Sequence, residues 1–317
     1  MRVGQTSGMP SLKSIVRPSR YASYLHRLRK GSDFQLDEEN AKALEAFPPG
    51  HFYSPLLDVR NLQANAAVPF DGPELWENID LRRSEQEELY SNLLAEFPPF
   101  AFPKIKSPSF RYYLDNPFFC EADAYVLSAL LRQYLPKRVI EVGSGFSSAV
   151  MLDTLQTIKH KSELTFIEPY PDRLYGLLEG TDRSSSRIFV KGVQEVPLEV
   201  FSELKAGDIL FIDSSHVAKV GSDVTFLFLR VLPRLAPGVV VHVHDIFYPV
   251  SYPTPWLKDG RAWNEGLFLR AFLVGNKSYE VLAFNSFAGC TFPQVFKEKL
   301  PSFIANSGGS IWLRTRG

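Results

Sequence analysis

From about residue 119 onward, short β-branched and aliphatic runs alternate with segments whose apolar positions recur at helical spacing, a pattern that admits few folds. The runs fall at 138–142, 164–168, 187–190, 208–213, 239–244, 279–283 and 311–314. Helical spacing fills 121–134, 147–158, 172–178, 198–204, 222–232 and 264–274. A strand with one wet face alternates apolar and polar residues, whereas a strand covered on both faces is apolar throughout. Asp208-Ile-Leu-Phe-Ile and Val239-Val-Val are of the covered kind. The expected architecture is therefore α/β: a doubly wound, seven-stranded, mostly parallel sheet with helices on both faces. In such sheets ligands lie beyond the carboxyl ends of the strands.

Residues 1–118 are built differently. Pro48-Pro49-Gly50, Phe97-Pro98-Pro99, Pro103 and Pro108 break them up, leaving room for two helices, at 37–46 and 84–95. Ser84 and Glu87 have the spacing of a capping box. Neither piece is rich enough in apolar residues to fold alone, so 1–118 is expected to be a partly helical extension that caps a domain at 119–317. Of the first thirty residues seven are Lys or Arg and none is Asp or Glu. A transit peptide or membrane-surface arm would have that composition, but a mobile or packing arm is favoured. Over all 317 residues the formal charge is zero, so no overall field recruits nucleic acid. No apolar run approaches the ~18 residues of a membrane span. Cys120 and Cys290 are too few for a disulfide framework or a cysteine zinc site, and a cytoplasmic location is expected.

The chemistry should lie at the strand ends. The first strand runs into Glu141-Val-Gly143-Ser144-Gly145-Phe-Ser147 and then directly into a helix. Glycines there let the backbone turn sharply and come close to a ligand. The second strand ends in Glu168, whose carboxylate can accept hydrogen bonds from both hydroxyls of a ribose. After the third strand comes Lys191-Gly-Val-Gln194, where an adenine edge would sit. A lone Gly-x-Gly is weak evidence, but these features in this order indicate a nucleoside cofactor. A pyrophosphate site normally has a third glycine and no carboxylate beside it, whereas here Ser147 and Glu141 stand. Glu141 suits the cationic amino group of a methionine moiety, which favours S-adenosylmethionine over a nicotinamide. The expected cofactor contacts are Glu141, Gly143, Ser144, Gly145, Ser147, Glu168, Gln194 and Asp213.

Glu141-Val-Gly-Ser-Gly, Ile167-Glu168, Phe211-Ile-Asp213-Ser-Ser-His216, and Leu235-Ala-Pro-Gly238 through His244-Asp245 resemble class I methyltransferases. The narrower resemblance is to the branch of macrocin O-methyltransferase and cephalosporin hydroxylase-like proteins. It covers about residues 119–317 and implies a Rossmann-like methyltransferase fold with a final strand pair. It also implies that metal use occurs in this branch. The chain departs at Ser147, for the third glycine, and at Ser214, for the glycine after the fourth-strand Asp.

His216, His242 and His244 cluster at the ends of the fourth and fifth strands. His242 and His244 share one side of their strand, and His242, further from the carboxyl edge, is expected to be structural. Two roles remain open for the rest. Asp213, His216 and His244 could serve as base for an acceptor hydroxyl. Alternatively Asp213, His244 and Asp245 could ligate Mg²⁺ or another divalent ion that acidifies that hydroxyl. The Pro-stiffened aromatic connection at 247–265 overhangs the site, either as part of it or as packing. The expected function is methylation, at oxygen, of a small hydroxylated molecule. The alternatives are an NAD(P)-dependent oxidoreductase and a non-catalytic S-adenosylmethionine-binding protein.

Overall fold

All seven runs are strands: β1 (Arg138–Val142), β2 (Glu163–Ile167), β3 (Arg187–Phe189), β4 (Ile209–Ile212), β5 (Val240–Val243), β6 (Tyr279–Phe284) and β7 (Ile311–Thr315). In this computed structural model, which describes residue 42 and residues 47–58 and 71–317, they form one sheet of order β3-β2-β1-β4-β5-β7-β6. The first five strands are parallel. β7 inserts antiparallel between β5 and β6. The chain winds outward from β1 to β3, then returns to place β4 on the other side of β1. That reversal opens the crevice where α/β sheets bind ligands. β4, apolar throughout, is completely buried, as covering on both faces requires. The expected fold, a doubly wound seven-stranded sheet, is the observed one.

Helices α1 (Arg83–Glu96), α2 (Glu121–Tyr134), α3 (Phe146–Thr157), α4 (Asp172–Leu177), α5 (Leu198–Ser202), α6 (Asp223–Phe226), α7 (Glu265–Leu273) and α8 (Asn285–Thr291) are the ones that frame the site. The expected single helix at 222–232 is broken. After α6 the chain widens into a π-helical turn at Leu227–Val231 and tightens into a 3-10 turn at Leu232–Arg234. Pro233 has no amide to donate, and its ring collides with the carbonyl four residues back, so a regular helix cannot continue. The capping box expected at Ser84 and Glu87 does not form either. α1 begins one residue earlier, behind Arg82 in the left-handed region, and no side chain caps it. Arg82 makes ion pairs with Glu280 and Glu85 that the local sequence does not announce. Of the helix expected at 37–46 only Lys42 is described, and it is helical, while the basic first thirty residues lie outside the described residues.

The chain divides into two units, 1–59 and 60–317. In the first, residues 47–58 form a turn in which the rings of Phe47, His51, Phe52 and Tyr53 contact one another. In the second, residues 71–118 pack on the sheet through polar anchors as well as apolar burial. Gln86 of α1 accepts from the Phe284 amide at 2.8 Å, at the end of edge strand β6. Tyr90 donates to Asn285 at 2.7 Å, and Asn285 donates to Asp123 of α2 at 2.9 Å. Trp76 donates to the Pro249 carbonyl at 3.3 Å, and the Ser251 amide donates to Asp71. No helix among the described residues is long and apolar enough to cross a membrane.

Arg111 is the strongest single tie between this layer and the sheet domain. Buried, it donates twice to Asp182, at 2.7 and 2.9 Å, and to Asp153 at 2.9 Å. The amides of Arg111 and Tyr112 also donate to Asp153, at 3.1 and 2.8 Å. Removing the cation leaves two carboxylates with little solvent and no counter-charge. Arg111→Met is therefore expected to destabilise the protein by about 3–5 kcal/mol in urea denaturation, and a change within experimental error would show that this layer is not fastened here.

Candidate active site

The turn after β1 is set by a steric condition. Gly143 has φ +80, and a Cβ there would lie 1.6 Å from the carbonyl oxygen of Asp213. The Gly143 amide donates to Ile167 at 3.0 Å, and the Asp213 amide donates to Val142 at 2.8 Å. The turn is thus wedged between the ends of β2 and β4. The Gly145 amide then donates to the Ser148 hydroxyl at 3.0 Å, starting α3. Two buried hydroxyls on the flanking loops, Ser144 Oγ and Ser214 Oγ, have no hydrogen-bond partner among the described residues. Buried hydroxyls without partners are costly, and a polar ligand in the crevice would satisfy them.

Glu141 does not reach into the crevice. It is fully buried, and both its oxygens are taken by hydroxyls: Ser147 at 2.5 Å, and Ser148. Burial pushes its carboxyl up to about 8, against the two serines, which pull it down. Its part is to brace the first turn of α3. Glu168 is more open. Its carboxylate accepts the amides of Ser144 at 3.0 Å and Tyr170 at 2.8 Å, one on each oxygen. One lone pair on each oxygen remains for a diol. Gln194, in the turn after β3, donates to the Gly221 carbonyl at 2.9 Å and ties that turn to the segment before α6. Gly143, Ser144, Glu168 and Asp213 thus meet at the ends of β1, β2 and β4, with Ser147 turned to Glu141 and Gln194 engaged with Gly221.

The second constellation lies beyond β4 and β5. Donor atoms of Asp213, His216 and Asp245 lie within 4.8 Å of one another. His216 Nε2 is 3.4 Å from an oxygen of Asp213 and 3.4 Å from one of Asp245. Donors about 2.1 Å from a common divalent ion in octahedral array would stand about 3 Å apart, so the spacing fits a cation. His216, rather than His244, completes the set with the two aspartates. His244 is buried between the rings of Phe119 and His242, with Nε2 3.7 Å from Asp245. Its Nδ1 has no partner among the described residues. His242 is structural: Nε2 bonds Ser310 Oγ at 2.9 Å, and the ring stacks on Phe211 at 3.7 Å.

Behind His216 stands a residue whose role the sequence did not reveal. Glu265, fully buried, accepts from His216 Nδ1 at 2.9 Å. The amides of Asn264 and Glu265 donate to the His216 carbonyl at 3.0 and 3.1 Å. Trp263 covers the imidazole, with ring centres 4.5 Å apart. The aromatic connection at 247–265 is therefore both packing and site: Phe247, Tyr252, Trp256 and Trp263 pack together and deliver Glu265. Burial alone would lower the His216 pKa, but the carboxylates of Asp213 and Glu265 outweigh it and hold the pKa well above the usual value. Burial raises the Asp213 pKa, yet the neighbouring His244 and His216 outweigh it and bring the carboxyl below its usual range. Burial holds Asp245 up. His216 and Asp245 both have left-handed backbones, at φ +60 and +54. Non-glycine residues there carry strain, and such strain concentrates at functional sites.

Residues 140–246 match the family model described as a methyltransferase domain. An uncharacterized protein of Archaeoglobus fulgidus is 28% identical over 194 residues, 58% of this chain and 86% of that one. Among solved structures, the S-adenosylhomocysteine-bound methyltransferase PaMTH1 of Podospora anserina aligns over 90% of this chain and 100% of its own, at 15% identity and TM-score 0.41. The O-methyltransferase TomG of Streptomyces achromogenes, with S-adenosylmethionine, aligns over 75% of this chain and 100% of its own, at 14% identity and TM-score 0.43. A Mg–SAM form of CmcI aligns over 70% and 78%, at 15% identity and TM-score 0.38. These alignments are too loose to carry a residue's role across. The matched segment runs from within β1 to just past β5, and over it this chain is similar to a methyltransferase domain.

Glu141 supplies a pH signature. Its folded-state pKa of about 8 lies above the ordinary 4.5, so its contribution is complete below about pH 4.5 and is lost as pH rises towards 8. Thermal melts of the wild type should lose stability between pH 5 and 9 more steeply than those of Glu141→Gln, which keeps the neutral shape. Parallel curves would show that Glu141 is ionised in the folded protein.

Proposed function

We propose that this protein is a methyltransferase that uses S-adenosylmethionine to methylate a hydroxyl of a small molecule, assisted by a divalent ion held by Asp213, His216 and Asp245. The observation that carries the proposal is the position of this triad at the ends of β4 and β5, beside the turn at Gly143. S-adenosylmethionine, when bound, supplies an electrophilic methyl group; a divalent ion, when bound, would lower the pKa of an acceptor hydroxyl and orient it. Ser144 Oγ and Ser214 Oγ would then find partners, and Glu168 would take the ribose hydroxyls. Gln194 would border the adenine. Methyl transfer is largely a matter of alignment, and the rigid ends of three parallel strands provide it.

The protein's residues divide the remaining work. Asp213 and Asp245 offer oxygen ligands and His216 offers Nε2. Glu265 accepts the Nδ1 proton, so that Nε2 faces the aspartates. His244, beside Asp245, stands where it can hold or relay the proton of the acceptor. Phe119 and Trp263, against His244 and His216, limit water at the reacting end. The residues 71–76 that touch Pro249 and Ser251 would help to close the pocket over a small substrate. An oxidoreductase with a dinucleotide is disfavoured by Ser147 at the third glycine position. A non-catalytic role leaves the strained His216 and Asp245 without a purpose.

Four measurements test this. Glu168→Ala should weaken S-adenosylmethionine binding by roughly 2–4 kcal/mol in calorimetry, for two hydrogen bonds to a charged acceptor; unchanged affinity removes the ribose role, and tight NAD binding by the wild type overturns the cofactor. Chelation should abolish turnover while cofactor affinity stays nearly intact, and Mg²⁺ or Mn²⁺ should restore it. Full activity in chelator, with no metal by elemental analysis, refutes the metal. Because an ion must displace the proton that Asp213 and Glu265 hold on His216, metal affinity should rise with pH. Glu265→Gln should lower that affinity about 10–100-fold.

A further inference from the structure

Glu141 was expected to meet the amino-acid end of the cofactor, but with both oxygens occupied and no exposure it cannot. That end carries a carboxylate as well as an ammonium group, and a carboxylate in a crevice needs a cation. Arg173, the second residue of α4, stands over the glycine turn. A Cβ on Gly145 would come within 3.1 Å of its Cδ. Its guanidinium carbon lies 3.9 Å from the centre of the Phe118 ring, and Phe118 stacks on Phe146, the first residue of α3, at 5.9 Å. Arg173 is thus held on an aromatic platform beside the glycine turn, close enough for its charge to act on Asp213.

Among the described residues no hydrogen bond or ion pair engages the Arg173 guanidinium. Several other arginines of the domain are spent, while Arg183 and Arg261, which also lie over aromatic rings, are placed on Tyr175 and on Trp256 and Trp263 rather than beside the glycine turn. Arg111 binds Asp153 and Asp182, Arg132 binds carbonyls of the 97–98 segment, and Arg270 binds Ser251 and the Phe247 and Val250 carbonyls. The five N–H donors of a guanidinium form a planar fork that matches a carboxylate in bidentate fashion. The platform removes part of its rotamer freedom before any ligand arrives.

Given S-adenosylmethionine as the cofactor, on which this rests, we propose that Arg173 receives the carboxylate of its amino-acid end, with Phe118 as the platform that aims the guanidinium. The cofactor is then gripped at both ends, by Glu168 at the ribose and Arg173 at the carboxylate. Phe118, from the layer before α2, becomes part of cofactor recognition.

Titration calorimetry on the full chain with two probes tests this. S-adenosylhomocysteine has the amino-acid end; 5′-methylthioadenosine shares the nucleoside and thioether but lacks it. Arg173→Ala should weaken S-adenosylhomocysteine about 10–100-fold, the scale of a charge-assisted pair, and leave 5′-methylthioadenosine within about twofold. Arg173→Lys should fall between, since an ammonium keeps the charge and loses the fork, and Phe118→Leu should cost S-adenosylhomocysteine a smaller factor. If Arg173→Ala leaves S-adenosylhomocysteine unchanged, or weakens both probes equally, Arg173 does not bind the carboxylate. If the wild type binds neither probe, the cofactor assignment itself falls, and Arg173 with it.

Discussion

The candidate site depends on a contact with no room for a side chain. Gly143 turns under the carbonyl of Asp213, where a Cβ would sit at 1.6 Å. Only glycine adopts φ +80 without strain and also clears that oxygen. Because the turn fits, the ends of β1, β2 and β4 come level. Glu168 can then cap the Ser144 amide, and Asp213 is brought to the edge of the same crevice. Glu141 supports the arrangement from below by holding the first hydroxyls of α3. Its burial is the electrostatic cost of placing a carboxyl under a helix start, and protonation relieves it.

Around that turn the protein assembles chemistry from distant segments. His216 follows β4, Asp245 follows β5, and Glu265 begins α7 after the aromatic connection. The left-handed backbones at His216 and Asp245 bring both side chains back towards Asp213. Such conformations persist only when their surroundings over-determine them. Here the surroundings are visible. The His216 carbonyl is held by the amides of Asn264 and Glu265 at the start of α7, and the Asp245 Cα would touch a Cβ on Gly309 at 3.0 Å. The layer at 71–118 adds a second constraint through Arg111, Gln86 and Tyr90, so the sheet domain and its covering layer are one packed body within the second unit.

Much of this was legible from the residues in order. Strands and helices of a doubly wound sheet are local patterns, because burial on both faces makes a strand continuously apolar and burial on one stripe makes a helix periodic. Every strand was recoverable to within about a residue at either end. The glycine turn, Glu168 and the cluster of Asp213, His216, His244 and Asp245 could be placed together because strand ends of one sheet share an edge. The break in the helix after α6 was also within reach, since Pro233 stands in the sequence, but a helical apolar pattern on both sides of it concealed the break.

What the sequence determined by itself is the sheet, its crevice and the residue types around it, because these follow from short-range periodicity and from the special freedom of glycine. Which histidine joins the two aspartates, that Glu141 is a buried brace rather than a contact, and that Glu265 stands behind His216 were decided only by the tertiary structure. Each depends on side chains 6 to 49 residues apart meeting at one place. Periodicity carries no information about such distances. They follow instead from the left-handed turns at His216 and Asp245 and from the packing of the 247–265 connection, where burial, charge and backbone strain balance only in the complete fold.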